Sequence, residues 1–251
     1  MLDITHLVVN GCSWTYCQGL DDPKTQGWPA LLANRLGVEV VNLAVPGCGN
    51  DSIHRRTYEY VYENLPTGSK PFFVIGWSQF WRRETWYNDL FGITGFNDYS
   101  IIAMPHDTPT NNAERALLDN WNYLDFYRRT YLYKLSLMNL FEVHKIPYLM
   151  SDYSDEHDEE IIKKIRERFP SIVDTVFTNL KQVKPFSRIS NNYPKLQCGH
   201  DGVESQPALT SFILSEIARL YGTINVVPGE YLTLKNFKIT NSQCKDNTVW
   251  R

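Results

Sequence analysis

The chain is poor in paired cysteines, in blocks of like charge and in long apolar runs. Its 251 residues contain five cysteines without a Cys-x-x-Cys pair, which argues against a zinc site and a disulfide framework. The net charge of -3 is spread along the sequence, so neither a nucleic-acid groove nor a polybasic membrane surface is expected. Apolar runs are all too short to cross a bilayer.

Signals for secretion and for nucleotide binding are also missing. The amino terminus, Met-Leu-Asp-Ile-Thr-His, lacks the basic and then apolar layout of a signal peptide, so cytoplasmic synthesis is expected. Neither a Gly-x-Gly-x-x-Gly run nor a Walker loop is present, which disfavours a nucleotide binder. The acidic run from Asp155 to Glu160 fits the first turn of a helix better than a metal site. We predict no cofactor and no metal.

What the sequence does contain is enough apolar material for a globular core. Hydrophobic residues make up 43% of the chain, which excludes global disorder. Short apolar runs that are typical of buried parallel strands occur at Leu7–Val9, Val38–Val45, Pro71–Gly76 and Ile146–Met150. Between these runs lie segments whose apolar residues recur at the spacing of a helix. A last helix is predicted from Leu209 to Leu220. This alternation favours a parallel sheet with helices on both faces.

Three segments do not follow this pattern. Residues 78–111 are rich in aromatics and turn formers, as expected for a functional loop or a lid. Residues 170–199 show little periodicity and are predicted to form an extended loop. We expect an α/β domain over residues 1–222 and a small β-rich extension over residues 223–251.

Ser13 is the first candidate for chemistry. It follows Gly11 and Cys12 at the carboxyl end of the first predicted strand, where open α/β sheets bind their ligands. A serine hydroxyl becomes a nucleophile when an imidazole takes its proton and backbone amides stabilise the developing oxyanion. A serine after a glycine is also typical of a helix N-cap or a turn, so this segment alone leaves both interpretations open.

Four loops resemble the sequence blocks of the SGNH (GDSL-type) hydrolases over residues 5–221, and small phage-encoded members in particular. These loops are Gly11-Cys12-Ser13, Ala44-Val45-Pro46-Gly47, Gly76-Trp77-Ser78-Gln79 and Cys198-Gly199-His200. The resemblance implies a three-layer α/β/α, flavodoxin-like fold with a central parallel sheet. It also implies that Ser13 is the nucleophile and His200 the base. The oxyanion donors would be the amides of Ser13 and Gly47, with the Ser78 hydroxyl.

The chain departs from the family pattern at several positions. The first block reads Gly-Cys-Ser instead of Gly-Asp-Ser, and Ser78 and Gln79 stand in the places of the third-block Asn and Asp. Gln197 stands where the family has its acid. The groups that are candidates to orient His200 are therefore a backbone carbonyl, Gln197, Asp201, Glu204, Asp152 and Asp155. Losing the acid of a serine triad costs about 10⁴-fold in turnover in another, well-studied enzyme.

Tryptophans near these loops are candidates to line a substrate cleft, although aromatic clusters more often belong to a core. The candidates are Trp14, Trp77, Trp81 and Trp86.

Two functions are compatible with the sequence. The first is a serine esterase or acyl hydrolase acting on a small-molecule or glycan ester, for example an O-acetyl group on a carbohydrate. The second is a catalytically degenerate fold that serves as a ligand-binding or structural component of a phage virion. In that case residues 223–251 would contact virion partners or further copies of the chain.

Overall fold

Five parallel strands form the central sheet of the structure, a computed structural model that describes residues 3–65, 68–86, 99–102, 123–153, 159–179 and 182–222. Counting also the two strands of a separate small sheet, the described strands in chain order are β1 (His6–Gly11), β2 (Glu39–Asn42), β3 (Pro71–Trp77), β4 (Arg83–Trp86), β5 (Tyr99–Ile102), β6 (Tyr148–Asp152) and β7 (Gln182–Val183). The central sheet has the order β2-β1-β3-β6-β7, whereas β4 and β5 pair antiparallel in a separate sheet. The central order is that of flavodoxin-like folds.

Helices connect these strands. They are α1 (Ser13–Tyr16), α2 (Pro23–Gln26), α3 (Trp28–Leu36), α4 (Asn50–Asn64), α5 (Tyr123–Val143), α6 (Glu159–Arg168), α7 (Pro170–Asn179), α8 (Ser187–Ser190) and α9 (Gln206–Tyr221). A short 3₁₀ helix spans Val203–Ser205 and leads into α9.

The central sheet separates two apolar cores because neighbouring strand residues point to opposite faces. On one face, Val8 and Phe73 pack with buried residues of α4, α5, α6 and α7. On the other face, Leu7 and Phe72 pack with buried residues of α3 and α9. The result is the three-layer α/β/α arrangement that the sequence predicts.

Several expectations need correction. Residues 170–199 are not an extended loop, since they contain α7, β7 and α8. The region predicted as a loop from residue 78 includes β4 and β5. The second strand covers only Glu39–Asn42 of the predicted Val38–Val45. The predicted extension over residues 223–251, with its proposed boundary, lies outside the described residues.

The cysteines divide into two groups. Cys12, Cys17 and Cys48 are buried free thiols that pack as small apolar side chains. Cys198, in contrast, is exposed and disulfide-bonded. No helix among the described residues is long and apolar enough to span a membrane.

Candidate active site

The first and third loops begin at the same height of the sheet. In the parallel pairing of β1 with β3, Gly11 lies opposite Gly76. Ser13 and Ser78 each follow two residues later. Because β2 and β3 flank β1 on either side, the chain reverses its direction of strand addition here, and such switch points are where open α/β sheets hold ligands.

Thr15 explains why these two strand ends are glycines. A Cβ atom added at Gly11 would collide with the Thr15 side chain and with the Gly76 carbonyl. A Cβ atom added at Gly76 would lie 2.6 Å from Thr15 Oγ1. The turn that carries Ser13 therefore packs directly against the two glycines at the ends of β1 and β3.

Ser13 is the first residue of α1, and its side chain is nearly buried at 4% exposure. The N-cap of α1 is Cys12, which makes no side-chain capping bond, so the N-cap interpretation of Ser13 is wrong. Its hydroxyl makes no hydrogen bond with any other residue that the structure describes. The hydroxyl is thus not committed to a structural role.

The second and third loops are joined through Asn50. Asn50 Oδ1 accepts a hydrogen bond from the Ser78 amide at 2.8 Å, and Asn50 Nδ2 donates to the Ser78 carbonyl at 3.1 Å. The N-cap of α4 is Gly49, so the Asn50 side chain does not cap this helix. Asn50 instead fixes the Ser78 backbone and leaves the Ser78 hydroxyl, which is buried, without a partner. Gly47 lies in the same loop, three residues before Asn50, with a φ of 81°.

A small hairpin presents His200. Lys195 and Asp201 form an isolated antiparallel bridge, and the Leu196 amide donates to the His200 carbonyl at 2.8 Å. Gly199 makes the turn with a φ of 80°, in the left-handed region that favours glycine. The His200 ring then lies with its centroid 5.9 Å from that of Trp14. The structure therefore brings His200 next to Trp14, the residue that follows Ser13. No hydrogen bond joins the side chains of Ser13 and His200.

The surroundings of His200 keep its imidazole neutral. Burial lowers the pKa of His200, and the positive charges of Arg82 and Lys195 lower this pKa further. The Nδ1 atom lies 3.3 Å from Cys198 Sγ. No described carboxylate is bonded to the ring.

The candidate acids are placed elsewhere. Gln197 is exposed. Asp152 forms a buried ion pair with Lys134, with 2.6 Å between Oδ1 and Nζ. Asp201 is paired with Lys195, and burial raises the pKa of Asp201 to about 7. Glu204 belongs to the 3₁₀ helix before α9, and Asp155 lies outside the described residues.

The tryptophan candidates differ in position. Trp14 stacks on Tyr153 with 4.0 Å between ring centroids and 4° between ring planes. Trp77 is fully buried in the core, so it cannot line a cleft, and this prediction is wrong. Trp81 is partly buried beside Arg82. The side chain of Trp86 lies outside the described residues.

Sequence reasoning missed Arg82, Asn50 and Tyr153. The guanidinium carbon of Arg82 lies 5.4 Å from the Trp14 ring and 5.5 Å from the Trp81 ring. The signal for Arg82 in the sequence is only indirect, namely its place beside Trp81 in an aromatic stretch. Among the described residues, no group of three or more His, Cys, Asp or Glu side chains could hold a metal ion.

Residues 18–176 match a protein-family model described as a family of unknown function, DUF6071. The chain belongs to DUF6071. A search of curated proteins found no match to this DUF6071 chain. The family match covers Gly47, Asn50, Ser78 and Arg82, but it begins after Ser13 and ends before His200.

Solved structures share the fold of this DUF6071 chain. TesA is similar with a TM-score of 0.53 and 16% sequence identity, over 86% of this chain and 99% of TesA. The psychrotrophic esterase EstA from Pseudoalteromonas sp. is similar with a TM-score of 0.52 and 12% identity, over 87% of this chain and 100% of EstA. These likenesses confirm the flavodoxin-like α/β/α fold that the sequence predicts. They give no support to a phage origin.

Proposed function

We propose that this DUF6071 chain is a serine hydrolase that cleaves an acyl ester, such as an O-acetyl group on a carbohydrate. The observation that carries the proposal is the contact between Trp14 and His200, with 5.9 Å between ring centroids. This contact joins the loop after β1, whose Ser13 hydroxyl has no hydrogen-bond partner among the described residues, to a neutral imidazole that lies far from it in sequence. The fold shared with the esterase EstA supports the same class of reaction.

The chemistry assigns one role to each group. Ser13 Oγ attacks the ester carbonyl while its proton passes to the imidazole of His200. Since Nδ1 faces Cys198 Sγ, Nε2 is the nitrogen that takes this proton. The imidazolium then protonates the leaving alcohol as the carbon–oxygen bond breaks. Water, deprotonated by the same imidazole, hydrolyses the acyl-serine and restores both groups.

The oxyanion that forms in each step needs hydrogen-bond donors. The candidates are the amides of Ser13 and Gly47 and the hydroxyl of Ser78. Asn50 holds the Ser78 backbone through two hydrogen bonds. The backbone that carries the Ser78 hydroxyl donor is therefore held in place. The Ser13 and His200 side chains come within bonding distance only when the substrate is bound, as catalytic hydrogen bonds often do.

A phosphonate probe tests the nucleophile directly. The EstA structure is one inhibited by monoethylphosphonate, and a fluorophosphonate reacts with activated serines in the same chemical manner. We expect covalent labelling of the wild type and loss of labelling in Ser13→Ala and His200→Ala. Ser211→Ala is the matched control, because Ser211 is an exposed serine of α9. Labelling of Ser13→Ala equal to that of the wild type would refute the nucleophile assignment.

A binding module without catalysis is the second candidate. The observation that favours it is that no described carboxylate contacts His200, while Lys195 and Arg82 both oppose its protonation. A panel of p-nitrophenyl acyl esters and acetylated glycans separates the two functions. Turnover that disappears in His200→Ala would exclude the binding-only alternative, including a structural role in a virion.

A further inference from the structure

Arg82 carries a positive charge that no acidic group of the described chain balances. The Nε and Nη1 atoms of its guanidinium are buried and have no hydrogen-bond partner. The other cations near the site differ, since Lys134 is paired with Asp152 and Lys195 with Asp201. Buried donors without partners cost free energy, so a ligand that supplies oxygen atoms to Arg82 would bind favourably there.

The position of Arg82 ties it to the proposed reaction centre. Its guanidinium packs on the ring of Trp14, the residue after Ser13, and on the ring of Trp81. The Arg82 carbonyl packs so closely on Gly49 of the second loop that a Cβ atom there would collide with it. The Arg82 charge also acts on His200 of the fourth loop. Arg82 therefore adjoins the loops of Ser13, Gly47 and His200 at once.

The contacts with the two rings leave the N–H donors of the guanidinium unused. A guanidinium presents its N–H groups in a planar fork that matches the two oxygens of a carboxylate. Contact with aromatic faces stabilises the cation but uses none of these N–H donors. A carboxylate that approaches in the plane of the fork would supply partners for the Nε and Nη1 donors of Arg82.

We propose that Arg82 binds a free carboxylate of the substrate, so that the substrate class is an ester that also carries a carboxylate close to the scissile bond. The inference rests on the proposed hydrolase function and narrows its substrate. It assigns to Arg82 a role in binding and specificity, not in bond cleavage.

A carboxylate at Arg82 would also compensate for the missing acid of the site. The charged groups facing His200 are Arg82 and Lys195, and the Lys195 charge is paired with Asp201. An anion on Arg82 offsets the remaining positive charge and thereby favours the imidazolium that forms when Ser13 gives up its proton. The substrate itself would supply this negative charge.

Matched esters that differ only in charge test the proposal. The p-nitrophenyl half-esters of succinate and glutarate carry a carboxylate, and their methyl esters are neutral controls of nearly the same length. We expect the wild type to show a kcat/KM at least about tenfold higher for the better half-ester than for its methyl ester, equivalent to 1.4 kcal/mol. In Arg82→Met this preference should disappear. Equal kcat/KM values for charged and neutral esters in the wild type would overturn the proposal and leave the hydrolase function standing.

Binding to an inactive protein separates this proposal from the proposed function. In Ser13→Ala, NMR titration should give a Kd for monomethyl succinate at least about tenfold lower than for dimethyl succinate. Adding Arg82→Met should abolish the difference. If this difference is found but the wild type hydrolyses no ester, the anion site stands and the hydrolase function fails. If Ser13→Ala binds both compounds equally, the anion site is refuted.

Two further variants control for folding and for net charge. Arg82→Lys keeps the charge but loses the planar fork, and we expect it to retain only part of the preference for half-esters. Arg219→Met removes an equal charge from the exposed end of α9, where Arg219 pairs with Glu216. It should keep the full preference. A loss of preference in Arg219→Met as large as in Arg82→Met would mean that overall charge, and not the Arg82 site, selects the substrate.

Discussion

The indole of Trp14 lies flat on the phenol ring of Tyr153, with 4.0 Å between the ring centroids. Trp14 follows Ser13, whereas Tyr153 follows the last residue of β6. The stack therefore holds the serine loop against the carboxyl end of β6, which lies two strands from β1 in the central sheet. The Trp14 ring also contacts His200 and Arg82, so Tyr153 supports a ring that both of these residues contact.

Replacing Tyr153 should reduce both stability and activity. Tyr153 is 3% exposed, and removing a buried aromatic ring costs about 3–5 kcal/mol. We expect this loss for Tyr153→Ala in urea unfolding, with a lower kcat because Trp14 loses its support. Tyr153→Phe keeps the ring and loses only a long contact of 3.4 Å to Ser190 Oγ, so it should resemble the wild type. Equal losses in both variants would contradict the importance of the stack.

Asn50 should be needed to hold Ser78 in place. Asn50→Ala removes both bonds to the Ser78 backbone and a third, at 3.1 Å, to Thr130 Oγ1, at about 1–3 kcal/mol for each buried group left unpaired. We expect lower stability and a reduced kcat with little change in KM. Thr130→Val removes only the third bond and should affect kcat much less. A normal kcat in Asn50→Ala would show that the Ser78 loop does not need this support.

Breaking the Lys134–Asp152 ion pair should be strongly destabilising. Both side chains are buried, and removing one partner leaves a buried charge at a cost of about 3–5 kcal/mol. Lys134→Met should therefore lower the free energy of unfolding by that amount. The double variant with Asp152→Asn removes both charges and should be less destabilised than the sum of the two single variants. Simple additivity would show that the two charges do not depend on each other.

Activity should persist to lower pH than an ordinary histidine allows. Burial and the charges of Arg82 and Lys195 hold the pKa of His200 below its usual value of 6.5, so the neutral base survives at lower pH. With p-nitrophenyl acetate, the acidic limb of kcat/KM should have its midpoint below 6.5. Arg82→Met should move this midpoint upward, because a positive neighbour is lost, and Arg219→Met should not. A wild-type midpoint at or above 6.5 would rule out this environment for the base.

Asp201 should make stability fall as the pH rises. Burial raises its pKa from 3.8 to about 7, so between these values the folded protein keeps a proton that the unfolded chain has released. The contribution of Asp201 is then complete below pH 3.8 and is lost as the pH rises to about 7. Asp201→Asn should flatten the pH dependence of the urea midpoint in this range. If the urea midpoint instead rises with pH, and does so more in the wild type than in Asp201→Asn, the pKa of Asp201 is not raised by folding.

The sequence predicted the fold well where burial leaves a simple pattern. The strands β1, β3 and β6 are buried along most of their length, and their apolar runs identify them without tertiary information. Helix α7 was missed, although Pro170 marks its start and the fully buried Val173 and Val176 lie one turn apart. The helix has few apolar positions, and irregular residues follow it, so the apolar pattern over residues 170–199 did not indicate a helix.

The candidate site was predictable only in its loops. The four blocks indicated Ser13, Gly47, Ser78 and His200 as residues of one sheet edge, but their roles stay predictions. Arg82 could not be found in the same way. Its environment depends on Trp14 and His200, which lie far from it in sequence and approach it only through the folded sheet.

The close packing of Thr15 against Gly11 and Gly76 limits which residues can be replaced when this protein is redesigned. Any larger residue at either glycine would lift the serine turn, so a library meant to broaden substrate choice should keep these three positions constant. Diversity belongs instead at Arg82 and Trp81, where side chains can change without displacing the backbone that carries the nucleophile.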